Sequence, residues 1–163
     1  MSIDYIVASL PALSFGASAP LAWERFCEIA DGERVRRILR RRGWDDLETQ
    51  LRNALAEARG GERYRRPAFG CALHWRNRVL ACFQERDVLK REEMLDRVWW
   101  DAAGELTPPA EPLGAGALAT YAVRLKIALK RSRVSKDGGN AAFDRLTAET
   151  SGLPPTSRLS NPL

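Results

Sequence analysis

Side chains able to do covalent or metal chemistry are few in this sequence, and their spacing joins them into no known device. His74 is the only histidine. A zinc site needs several strong ligands at set intervals, and neither H-x-x-E-H nor paired C-x-x-C occurs. The members of a Ser–His–Asp triad need not be close in sequence, but no G-x-S-x-G elbow points to one. His74 therefore reads as a satisfied structural residue. Cys27, Cys71 and Cys82 are odd in number and irregularly spaced among apolar neighbours, the pattern of buried, reduced thiols. The glycines at 60–61, 114, 116 and 138–139 are not followed by Lys-Ser/Thr, so no Walker A phosphate loop is present. They read as helix ends and loops. The pair at 138–139 follows a candidate N-cap, where free N–H groups offer a weak anion signal. Asp45-Asp46 and Glu92-Glu93 are adjacent in sequence. On a helix such neighbours diverge by about 100°, so they do not face each other as an acid–base pair would. The reading is a protein without catalytic residues, cofactor or metal, and not an enzyme by itself.

Arginine is the pointed feature. Arg34, Arg36, Arg37, Arg40, Arg41 and Arg42, then Arg63, Arg65 and Arg66, concentrate positive charge in one third of a chain whose net charge is +5. The guanidinium fork pairs bidentately with carboxylate or phosphate. Docking to an acidic protein face and binding to a nucleic-acid backbone compete as readings, beside a plain solvated helix face with local Glu partners. The helix–turn–helix look of residues 33–59 supports DNA poorly. The second helix opens on Asp45-Asp46, which phosphate repels, and Tyr64 alone is no stacking platform. The candidate partner-binding set is Arg36, Arg37, Arg40, Arg41, Arg63, Arg65 and Arg66, with Trp100. Of the Trp99-Trp100 pair, Trp99 fits the inward stripe, which leaves Trp100 at the core edge or a contact surface.

These residues need a scaffold, and the patterning predicts an all-α one. The chain is 163 residues long, 45% hydrophobic and 29% charged, as a soluble globular protein is. No apolar run nears the ~20 residues that span a bilayer. Asp4 stands where a leader would be basic, which predicts a cytoplasmic protein. Residues 5–16, YIVASLPALSFG, form the least polar run. Periodicity alone leaves 5–10 between helix and strand, but no strand elsewhere offers to pair with it, so helix is preferred. Helices follow from Pro20 to Asp31-Gly32, over 33–42, and from Asp45 or Asp46 to Gly60-Gly61. A longer one runs from Pro67 to about Arg86, with Phe69, Leu73, Leu80 and Phe83 on one side and Trp75, Val79 and Cys82 on another. A helix so apolar should be central. Residues 89–106 follow, with Leu95, Val98, Trp99, Ala102 and Leu106 inward and Glu92, Glu93, Asp96 and Arg97 outward. After a Pro-rich connection, 117–133 carries the stripe Leu118, Tyr121, Ala122, Leu125 and Leu129. A last helix is capped by Asp137, with Phe143 and Leu146 facing in. The count is about seven helices in an antiparallel bundle over 1–150, with a flexible Ser/Pro-rich tail at 151–163. The opening stretch is expected to pack on the stripe of 118–129.

Three segments carry a resemblance. Residues 5–16 resemble the amino-terminal signature of a family of uncharacterised bacterial proteins encoded alongside the subunits of V/A-type (V-type) rotary ATPases. REEMLDRVWWD, 91–101, resembles that family's acidic mid-chain helix. YAVRLKI, 121–127, followed by Gly139 and FDRL at 143–146, resembles its late helix pair. The opening Tyr…Val-Ala…Leu pattern is also distantly similar to the first helix of the ATPase C (or d) subunit, which links the central stalk to the membrane ring. The resemblance implies a helical, non-catalytic accessory or linking subunit, cytoplasmic and peripheral to the inner membrane through partner subunits. The Arg-rich middle, the short connection at 106–118 and the tail depart from the family pattern. The signature supplies no catalytic residues to transfer.

Overall fold

Ser2 opens the first helix. Its hydroxyl accepts from the Tyr5 amide at 3.4 Å, and α1 runs Ile3–Ser9. Leu10 is extended ahead of Pro11, as the proline ring requires of its predecessor. The computed structural model describes residues 1–70 and 72–133, and over these the chain is all-α, with seven helices, two 3₁₀ turns and no strand. The predicted last helix and the tail lie outside the described residues. So does Cys71.

α2 (Trp23–Ala30) ends at Asp31, which does two jobs. Its backbone turns at φ 61°, and its carboxylate accepts from the Glu33 and Arg34 amides to cap α3 (Gly32–Arg41). Gly43, at φ 75°, closes α3 and hands over to α4 (Trp44–Ala58). Gly60, at φ 70°, ends α4. The 3₁₀ turn Glu62–Tyr64 follows. α5 is Leu73–Cys82, and α6, capped by Asp87, is Val88–Ala102. The second 3₁₀ turn, Ala103–Leu106, leads to α7 (Ala115–Arg133).

The centre of the bundle is α7. Buried residues occur all round it, from Gly116 and Leu118 to Ile127 and Ala128, and it packs on α1, α2, α3, α6 and the second 3₁₀ turn. The helix predicted from Pro67 to Arg86 is shorter and peripheral. Phe69 is fully exposed and Leu73 is exposed, while Trp75, Val79 and Cys82 bury one face only. The reason is a set of side chains on one face of α4. Asp46 accepts from the Phe69 amide at 2.6 Å, and Gln50 accepts from the Ala72 amide at 2.6 Å. Asn53 accepts from the Arg66 amide and donates to the Arg66 carbonyl, both at 2.8 Å. These bonds satisfy backbone that a helix would otherwise pair, so 66–70 and Ala72 stay irregular.

The opening stretch packs as expected. Ile6, 1% exposed, sits in one cluster with Phe26, Ala30, Val35, Leu118, Ala122 and Leu125. Further along, the Tyr121 hydroxyl donates to the Pro11 carbonyl at 3.0 Å. The Phe15 ring lies under the Arg97 and Arg131 guanidinium groups at 4.8 and 4.7 Å.

α6 stops short of the predicted Leu106 and corrects two assignments. Trp100, not Trp99, is the buried tryptophan, at 6% exposure. Asp96 is not on a charged outer face. It is 9% exposed and held by Lys130 at 2.6 Å and Arg131 at 3.6 Å from α7.

Candidate functional site

α3 is short and strongly two-sided. Val35 is buried, Ile38 and Leu39 are half-buried, and arginine covers the remaining turns. Successive helical positions are turned by about 100°, so Arg36 and Arg40 share one edge and Arg37 and Arg41 share the next. Arg36 pairs with Glu33 at 2.5 Å. Arg37, Arg40 and Arg41 are exposed and have no ion-pair partner among the described residues. Arg34 reaches the Met1 carbonyl at 3.5 Å, and Arg42 pairs with Glu111 at 3.0 Å.

The two edges face different hollows. Arg37 and Arg41 border a hollow of about 440 Å³ that includes Ile3 and Ala115. Arg36 and Arg40 border a larger cleft of about 580 Å³ between α4 and the α6–α7 pair. Its floor is apolar: Leu39, Trp44, Leu55, Leu95, Trp99 and Ile127. Its rim adds Arg52, Arg59, Lys126 and Lys130, which the sequence reading did not single out. Their spacing held a signal. Arg52 on α4 and Arg59 at its C-cap are seven apart, and Lys126 and Lys130 are four apart on α7, each pair on one side. Most of these cations are spoken for. Arg52 pairs with Glu48 at 2.6 Å, Arg59 with Glu92 at 3.7 Å and Lys130 with Asp96. Lys126 lies over the Trp23 ring at 4.5 Å. Arg40 is left without such a partner among the described residues.

Arg63, Arg65 and Arg66 do not join this surface. They follow the far end of α4, which at 1.5 Å per residue is roughly 20 Å from its start beside α3. Arg63 covers the Tyr64 ring at 4.8 Å, Arg65 pairs with Glu57 at 3.3 Å, and Arg66 is held through its backbone by Asn53. Glu57 also takes Arg76, and that guanidinium is the main reason its carboxyl is held below the usual range.

Trp100 is removed from the candidate surface. Its ring meets the Phe15 edge at 5.5 Å and lies beneath Arg124 at 5.1 Å, and its carbonyl accepts from Arg124 Nε at 3.1 Å. Burial lowers the Arg124 pKa, with the Asp101 carboxylate opposing that shift. One helical step away, Trp99 is the half-buried indole that reaches the cleft.

The reactive residues stay apart. His74 stands on the outer side of α5, exposed, its ring 4.9 Å from Trp75. Cys82 is buried, and its thiol donates to the Arg78 carbonyl at 3.2 Å. Cys27 is half-buried. Burial pushes both thiols up, away from the thiolate form. Among the described residues, no group of three His, Cys, Asp or Glu side chains is placed to hold a metal. Also among the described residues, no helix is long and apolar enough to cross a membrane. Compared with known proteins, the chain matches no family model, no curated protein and no solved structure.

Proposed function

We propose that this protein is a non-catalytic docking subunit, an accessory or linking component of a bacterial V/A-type rotary ATPase. The observation that carries the docking reading is the arginine edge of α3. Several surface arginines gather local carboxylates, as Arg36 does with Glu33 and Arg52 with Glu48. Arg37, Arg40 and Arg41 stand exposed on adjacent turns without one among the described residues. Such a cluster suits an acidic protein face, where charge complementarity speeds encounter and fixes register. The choice of partner rests on the resemblance of residues 5–16, 91–101 and 121–127 to the family encoded with rotary ATPases. On this reading the protein is cytoplasmic and reaches the inner membrane only through the ATPase subunits of the stalk or ring side.

Co-purification with the ATPase from the host tests the partner, and a triple Arg37→Ala, Arg40→Ala, Arg41→Ala variant tests the surface. The variant should keep its melting temperature, because exposed substitutions of this kind change stability by about 0.5 kcal/mol or less. It should bind the ATPase at least about tenfold more weakly, a loss of ~1.4 kcal/mol. An ATPase recovered without this chain, or a variant that binds unchanged, overturns the proposal. Nucleic-acid binding that falls with salt and vanishes in the same variant would instead assign the edge to phosphate.

A further inference from the structure

Of the two hollows that flank α3, the smaller is one-signed. Arg34, Arg37, Arg41 and Arg42 line it, and no Asp or Glu does. The larger cleft beneath Arg40 sets Asp45, Glu48, Glu92 and Asp96 against its cations, and most of those cations are already paired. In the smaller hollow, Arg37 and Arg41 are exposed and have no ion-pair partner among the described residues. Arg34 makes one long bond, at 3.5 Å, to the neutral Met1 carbonyl. Arg42 alone of the four meets a carboxylate, Glu111, at 3.0 Å.

The helical period builds this set. Arg34, Arg37 and Arg41 stand at i, i+3 and i+7 of α3, hence along one side of it, over a rise of about 10 Å. Arg42 follows at the C-cap. Like charges so spaced repel one another, and an anion in the hollow would relieve them. A single exposed ion pair contributes little in water, so the row favours an anion with several charges linked in a chain. Guanidinium forks fit phosphate oxygens two at a time. The floor between them is apolar, from Ile3 of α1, Ile38 of α3 and Ala115, the first residue of α7. At about 440 Å³ the hollow has the size of a small-ligand site rather than of a protein interface.

We propose that this hollow binds a small molecule carrying a di- or triphosphate chain, its phosphates on Arg37 and Arg41 and its apolar part, where it has one, on Ile3 and Ile38. Inorganic tripolyphosphate and a nucleoside triphosphate present the same chain. The inference shares Arg37 and Arg41 with the docking edge but does not rest on that reading. An occupied hollow holds those two arginines away from an acidic partner.

Calorimetric titration of the isolated full-length chain at about 0.15 M salt, without magnesium, tests it. Sodium tripolyphosphate should saturate one site per chain, and inorganic phosphate should bind at least about tenfold more weakly. ATP or CTP that binds more tightly than tripolyphosphate places the base on the apolar floor, and equal binding leaves the phosphate chain as the whole ligand. Either result keeps the site and names the source of the chain. An Arg37→Gln, Arg41→Gln variant should keep its melting temperature, both positions being exposed, and lose at least about tenfold in affinity. Arg63→Gln, Arg66→Gln removes the same charge beyond the far end of α4 and should bind as the parent does. Should the first variant not fold, amide resonances of the parent decide: those of Ile3, Ile38 and Ala115 should shift on titration, and those of α5 should not. Absence of saturation below about 1 mM overturns the proposal. So does an equal loss in the two variants, which makes the attraction one of net charge alone. Hexaglutamate that binds as tightly as tripolyphosphate also overturns it, by assigning the hollow to an acidic protein segment.

Discussion

Gly116 lies against the backbone of Leu106. A Cβ built on Gly116 would stand 2.1 Å from the Leu106 carbonyl oxygen and 2.9 Å from Pro108 Cδ. The contact sets how closely the second 3₁₀ turn approaches the first turn of α7. Thr120, one turn further along α7, donates to the Ala103 carbonyl at 2.8 Å and so ties the same two elements together.

Gly116→Ala should therefore destabilise the protein. In an ordinary exposed helix position the change favours the helix by about 1 kcal/mol. Here the methyl meets a carbonyl that must move, and overpacking of that kind costs about 1–3 kcal/mol or more. The expected drop in melting temperature is roughly 4–10 °C. A variant that melts at or above the parent temperature would show that the turn and α7 do not touch in this way.

Asp46 makes the backbone around Phe69 sensitive to acid. The Phe69 amide, and after it the Gln50 side chain, hold the Asp46 carboxyl below its ordinary value of 3.8. A carboxyl lowered on folding contributes stability above the unfolded value and loses it as pH falls through the folded one. Exchange at the Phe69 and Ala72 amides, corrected for intrinsic rate, should thus quicken as pH is taken from about 5 to about 3. In Asp46→Ala it should be fast throughout and no longer follow pH. Persistent pH dependence in that variant would assign the effect to another carboxylate.

The two adjacent tryptophans should separate by stability. Trp100→Ala empties a buried site between Phe15 and Arg124 and should cost about 3–5 kcal/mol. Trp99→Ala removes a half-buried ring from the cleft wall and should cost roughly 1–2 kcal/mol. Denaturant unfolding of both variants measures the difference. Equal losses, or a larger one for Trp99, would contradict the orientation of α6.

Much of the helical order was legible in the residues. Asp31, Gly43 and Gly60 mark helix ends by chemistry that acts within a few positions, and the structure uses all three. The stripe Val35, Ile38 and Leu39 likewise predicts the inner side of α3. The cleft was not legible as a site. Arg40, Arg52, Leu55, Trp99 and Lys130 come from four helices, and nothing in a linear pattern says that α4 stands off from the α6–α7 pair.

The sequence by itself determined the fold class, the packing of the opening stretch toward the 118–129 stripe, and the arginine edge of α3, because helical period and capping are local rules. Only the tertiary structure decided that α7 is central, that 66–70 is not helical, and that Trp100 rather than Trp99 is buried. Each of those depends on a partner distant in the chain. Asp46, Gln50 and Asn53 capture the backbone of Phe69, Ala72 and Arg66, and Phe15 and Arg124 close over Trp100. It also decided that Asp96 turns inward, since Lys130 and Arg131 supply the charge that offsets its burial.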